Sequence, residues 1–61
     1  MRNLTTGVAI AVFSDIRADR YSDEEKLEAI RIVLRLNRYG EVKKNAAFEV
    51  IKWMMERNGE R

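Results

Sequence analysis

The side chains that most often carry enzyme chemistry are missing from this 61-residue sequence, which contains no His and no Cys. Imidazole acid–base catalysis, thiol nucleophiles and the usual zinc ligands are therefore excluded. No imidazole is present to activate a hydroxyl nucleophile. The hydroxyl residues are Thr5, Thr6, Ser14 and Ser22. The three glycines are isolated and form no phosphate-binding loop, so we predict a protein that is not an enzyme and needs no cofactor.

Three aspartates, Asp15, Asp19 and Asp23, follow one another at regular helical intervals. A single helix through all three would place their carboxylates on one face, where they could hold a hard cation. We predict a break in the helix near residues 19–21, which would separate them. Their predicted place is therefore in helix caps and loops, and no metal site is expected.

Five basic side chains are the best candidates for contact with nucleic acid. Arg31, Arg35 and Arg38 lie at helical spacing on one face, and Lys43 and Lys44 follow in the next turn. Two helices joined by a turn could present such a stripe to DNA in a helix-turn-helix. Two glutamates interrupt the stripe, and the formal net charge is only +2 from 12 basic and 10 acidic residues. DNA binding is therefore the alternative hypothesis, and a solvated face is the simpler interpretation.

The spacing of apolar residues predicts three helices over about 6–18, 23–39 and 44–58, and so an all-α three-helix bundle. The sequence has no Pro to interrupt them, and residues 1–61 are expected to form a single helical domain. For the first helix a strand is the competing interpretation, because residues 8–13 are rich in β-branched side chains. A lone strand would have no partner in an otherwise helical chain, so the helix is favoured.

Capping residues set the predicted helix ends. One of two threonines, Thr5 or Thr6, is expected to cap the first helix. Ser22 and Glu25 form a capping box at the start of the second. Gly40 stands where a residue in the left-handed conformation would end that helix.

The second and third helices are apolar over an unusually wide arc. With side chains about 100° apart around the axis, each apolar arc covers roughly 220°, whereas a helix on one core needs little more than ~100°. One short helix cannot cover both arcs, so apolar surface is expected to remain for a second chain. The residues predicted to form this protein interface are Ile32, Leu36, Phe48, Ile51, Trp53, Met54 and Met55.

The length of the chain also favours association. A chain this short buries only about 60% of its unfolded surface, and without Cys it has no disulfide to stabilise the fold. Self-association is therefore expected, most simply as a two-fold homodimer.

The apolar run at residues 8–13 is the only segment that suggests a membrane or export signal. It is too short for a membrane span of about 20 residues and for the apolar core of roughly 7–15 residues that a signal peptide needs. We therefore expect a cytoplasmic protein with no membrane partner.

Three segments carry a resemblance to known sequences: LTTGVAIAVF at residues 4–13, YSDEEK at residues 21–26 and VIKWM at residues 50–54. Together they resemble a group of very short, uncharacterised proteins encoded in prophages and conjugative elements of gut Firmicutes. Members of that group often have Ser or Thr before the third helix, where this chain has Lys43. The resemblance implies an accessory product of a mobile element and implies no functional residue.

The leading hypothesis is therefore a small non-catalytic protein-binding module of a phage or mobile element. Its expected partners are a second copy of itself and a host or phage protein. Inhibition of host defence, as by anti-CRISPR proteins, is one role of this kind. The alternative is a small DNA-binding regulator of the helix-turn-helix kind.

Overall fold

The computed structural model describes residues 4–59, which contain three α-helices and one short 3-10 turn. Helix α1 spans Thr6–Ser14, α2 spans Asp23–Leu36 and α3 spans Ala46–Gly59, with the 3-10 turn at Tyr39–Glu41. The described part of the chain contains no strand. The prediction of an all-α three-helix bundle is confirmed.

Helix α1 begins as predicted but ends earlier. The Thr5 hydroxyl accepts a hydrogen bond from the Val8 N–H at 3.2 Å, which caps the first turn. The helix ends at Ser14 rather than near residue 18, because Asp15 leaves the helical conformation at φ −131° and ψ 47°. The chain turns there and directs Ile16 into the core, where it is buried. The segment after α1 is therefore a turn that contributes one buried side chain to the core.

Helix α2 begins with the predicted capping box. The Glu25 N–H donates to Ser22 Oγ at 3.1 Å, and the Ser22 N–H donates back to Glu25 Oε1 at 2.9 Å. The helix ends at Leu36 rather than at residue 39. Asn37 adopts the left-handed conformation, with φ 56°, so the helix-ending role predicted for Gly40 was wrong. Asn tolerates this conformation better than most residues with a side chain.

Helix α3 begins at Ala46, later than the predicted residue 44. Residues before it form a turn in which the Ala46 N–H donates to the Lys43 carbonyl oxygen at 3.0 Å. The Lys43 side chain has no acceptor with which to cap a helix. Its backbone N–H instead donates to Ser14 Oγ at 3.1 Å, which ties the turn before α3 to the end of α1.

Two groups of buried side chains make up the core. In the larger group, α3 packs against the other two helices; its members are Phe13, Ile16, Ile30, Val33, Ala46, Val50 and Trp53. In the smaller group, α1 packs against α2; its members are Ala9, Val12, Ala29 and Ile32. Helix α2 therefore contributes side chains to both groups. Its residues in the larger group face α3, and its residues in the smaller group face α1.

Ion pairs join α3 to the rest of the chain at its outer edge. Arg17 donates two hydrogen bonds to Glu56, at 2.7 and 3.0 Å, and one to Glu49 at 3.3 Å. The hydrogen bonds from Arg17 hold the pKa of the Glu56 carboxyl below its usual value and raise the pKa of Arg17. Arg57 forms a further ion pair with Asp23 at the start of α2.

Replacing Arg17 with Gln should flatten the dependence of stability on pH in acid solution. The pKa of Glu56 is lower in the folded than in the unfolded chain. The ion pair therefore adds to the free energy of unfolding above the usual Glu pKa, and this contribution is lost as the pH falls through the lowered value. Urea unfolding of wild type and Arg17→Gln, from neutral pH to about pH 3, measures the difference. Arg35→Gln removes an equal charge elsewhere as the control. Identical pH profiles for Arg17→Gln and wild type would contradict the role assigned to Arg17.

Candidate protein-binding surface

Helix α3 is apolar on two opposite sides. One side faces the core and contains Trp53, which is only 8% exposed. On the other side Phe48 is 62%, Ile51 55% and Met55 67% exposed. Residues two apart on a helix point about 200° away from each other, so the rotation that buries Trp53 necessarily turns Ile51 outward.

An apolar groove runs along the seam between α2 and α3, with a volume of about 260 Å³. Its floor is formed by core side chains, and its walls by Leu34 of α2 and by Ile51 and Met54 of α3. Its lining residues, all uncharged, are Phe13, Ile30, Leu34, Tyr39, Ala47, Val50, Ile51 and Met54.

The groove and the outer side of α3 are continuous, because Ile51 belongs to both. We call this surface the apolar face. It consists of Leu34, Tyr39, Ala47, Phe48, Ile51, Met54 and Met55.

Three charged residues of α3, Glu49, Lys52 and Glu56, lie outside the apolar face. Glu49 and Glu56 both bind Arg17, and about 100° per residue of helical rotation places them on the side of α3 away from Ile51. Lys52 lies at the edge, with its Nζ 5.3 Å from the centroid of the Phe48 ring. The face therefore offers apolar contact, bordered by a cation that is already engaged with one of its own aromatic rings.

Four of the predicted interface residues lie together on the apolar face: Phe48, Ile51, Met54 and Met55. The prediction was wrong for Trp53 and Ile32, because both are buried within the single chain. Ile32 packs against α1, which covers one part of the α2 arc that was expected to remain exposed.

Leu36 is also outside this surface. It is 43% exposed but lies about 200° around α2 from Leu34, so it does not join the face on α3. Sequence reasoning missed Leu34, Tyr39 and Ala47 as members. The wide apolar arcs already included Leu34 and Ala47, whereas Tyr39 reaches the groove only because α2 ends early.

Trp53 attaches α3 to α2 through a cation–π contact with Lys26 as well as through apolar contact, and Arg57 of α3 itself also lies over the ring. Lys26 Nζ lies 5.5 Å and Arg57 Cζ 5.0 Å from the centroid of its ring. Lys26 is itself buried, so its aliphatic stem contributes to the core while its ammonium group interacts with the indole. This environment explains why Trp53 acts in the core and not at an interface.

The basic residues proposed for nucleic-acid contact do not form one stripe along α2. Arg31 pairs with Glu28 at 3.2 Å, and Arg38 pairs with Glu41. Because α2 ends at Leu36, Arg38 lies beyond the helix and leaves the stripe. A further pair, Lys43 and Lys44, lies in the turn that contacts α1. The connection from residue 37 to residue 45 is also longer than the roughly 3–4-residue turn of a helix-turn-helix.

Comparison of the chain with protein-family models, curated proteins and solved structures found no match. Within residues 4–59, no helix has the length and hydropathy to cross a membrane. The same residues contain no group of three or more acidic side chains placed to hold a metal ion.

Truncating the two aromatic residues of α3 should have opposite consequences. Trp53→Ala removes a buried ring and should lower the free energy of unfolding by about 3–5 kcal/mol, which is comparable to the whole stability expected of so small a core. Phe48→Ala removes an exposed ring and should change it by less than about 0.5 kcal/mol. Circular dichroism during urea unfolding, at a concentration where the protein is monomeric, measures both. Equal losses would show that the two rings are equally buried.

Proposed function

We propose that this protein is a small, non-catalytic protein-binding module that acts by contact through the apolar face. The observation that carries the proposal is the two-sided character of α3, which buries Trp53 and leaves Phe48, Ile51 and Met55 exposed. A monomeric soluble protein rarely exposes a contiguous apolar patch of this kind unless the patch binds something.

The residue types on the face support a protein partner. Aromatic and Met side chains are enriched in the cores of protein interfaces, and the face contains Tyr39, Phe48, Met54 and Met55. Met adapts its shape to different partner surfaces because its side chain is unbranched and flexible. The groove beside α3 would receive a partner's side chains, while the outer side of α3 would provide the flatter contact.

The proposed biological setting comes from the resemblance to short proteins of prophages and conjugative elements. In that setting the partner is a host or phage protein, and inhibition of host defence is one such activity. The binding surface is assigned from the exposed residues of this chain and not from that setting. It can therefore be tested without knowing the partner.

The proposal can be tested with a photoreactive amino acid placed at position 48 or 55. In cells, we expect cross-links from both positions to protein, and none from position 35 on the outer side of α2, which is the matched control. Adding Ile51→Glu places a charge at the centre of the face and should abolish the cross-links without changing the circular dichroism spectrum. If positions 48 and 55 cross-link no more than position 35, or if Ile51→Glu changes nothing, the proposal is refuted.

For the DNA-binding alternative we expect no complex in a mobility-shift assay with duplex DNA. Phosphate contacts would make a complex strongly salt-dependent, losing on the order of 10³-fold in affinity between about 50 and 200 mM salt. The double variant Arg31→Glu and Arg35→Glu is the control, since it removes the basic side chains on the outer side of α2. A complex that forms at low salt and is lost in this variant would favour the regulator hypothesis over ours.

A further inference from the structure

We infer that the occupant of the apolar face is a second copy of this chain, in a two-fold dimer with antiparallel α3 helices. This inference rests on the proposed function, because it names the partner of the same surface. It is supported by the spacing of the exposed residues and by the area they present, and the positions of the charges permit it.

The exposed residues of α3 are self-complementary in an antiparallel pair. Phe48, Ile51 and Met55 alternate at intervals of three and four residues, which is the spacing at which two packed helices meet. A two-fold axis close to Ile51 would place Phe48 of each copy against Met55 of the other. Sulfur–aromatic contacts of this kind are favourable, and the Phe48–Met55 contact then occurs twice in the dimer, as an isologous interface requires.

The area of the face is close to that needed by a dimer. Six of its residues are between 41% and 67% exposed: Leu34, Tyr39, Phe48, Ile51, Met54 and Met55. At roughly 200 Å² for a fully exposed large side chain, they present on the order of 600 Å². A standard interface buries about 800 Å² on each partner, so the face and a narrow polar border would suffice. A small ligand could cover only part of such a surface.

The positions of the charges permit the same arrangement. Glu49 and Glu56 are bound to Arg17 on another side of α3, so two copies can meet without bringing these carboxylates together. Lys52 lies at the edge over its own Phe48 ring, and the symmetry would place both copies of Lys52 on the same side of the seam. We therefore expect added salt to leave dimerisation unchanged or to strengthen it, since salt screens this repulsion.

The first test is the mass of the purified protein by sedimentation equilibrium at tens of micromolar. We expect a dimer for wild type and for Arg35→Glu. Ile51→Glu should keep its helical spectrum but raise the dissociation constant by about a hundredfold or more, because the dimer would bury an unpaired charge. A monomeric wild type, a dimer unaffected by Ile51→Glu, or a dimer that weakens steeply with salt would each overturn the inference.

The second test determines the direction of the helices. The chain contains no Cys, so single cysteines can be introduced as Phe48→Cys and Met55→Cys. Under mild oxidation, an equal mixture should form disulfides between the two variants in preference to disulfides within either variant, with Arg35→Cys as the unreactive control. Preferential pairing of like variants would indicate parallel helices and overturn the antiparallel arrangement.

The two proposals fail in different ways. If the purified chain is a monomer while positions 48 and 55 cross-link a different protein in cells, a second copy is not the occupant and the protein-binding function stands. If those positions cross-link neither another protein nor a second copy, both proposals are refuted.

Discussion

The burial of Trp53 determines how α3 is placed on the other two helices. Its ring lies among the residues of the larger core group, and the ammonium group of Lys26 on α2 lies 5.5 Å from the ring centroid. A helix that buries one large side chain in this way has no freedom to rotate about its axis. The exposure of Ile51 and Phe48 on the far side therefore follows from the same contact that stabilises the fold, and no other helix in the described chain is placed to cover them.

The parts of the fold that could be predicted are those that depend on neighbouring residues. The capping box of Ser22 and Glu25 is a local arrangement of side chain and backbone, and it forms as expected. The early ends of α1 and α2 depend on distant contacts. Ile16 leaves the helix because the core accepts it, and Asn37 takes the left-handed conformation before Gly40 is reached. Because glycine is the usual helix-ending residue, the presence of Gly40 led to a predicted end of α2 that is too late in the sequence.

The candidate surface was predicted only in part, and the reason lies in how many neighbours each helix has. A wide apolar arc indicates that a helix packs against more than one neighbour, but it does not indicate whether the second neighbour belongs to the same chain. For α2 the second neighbour is α1, which buries Ile32. For α3 the outer part of the arc, with Phe48 and Met55, remains exposed. The sequence pattern is the same in both helices, and only the packing of all three helices distinguishes the two cases.

The small size of the core gives the apolar face a consequence for stability. A single core in a chain of this length supplies about 3–5 kcal/mol, whereas a partner present at a hundred times its dissociation constant adds about 2.7 kcal/mol. Occupation of the face would thus stabilise the fold by nearly as much as the core itself does. Helix α3 is attached through three buried side chains, Ala46, Val50 and Trp53, and through exposed ion pairs. A partner bound across the α2–α3 seam would favour the folded chain over the unfolded one by mass action, so binding and folding are expected to be coupled in this protein.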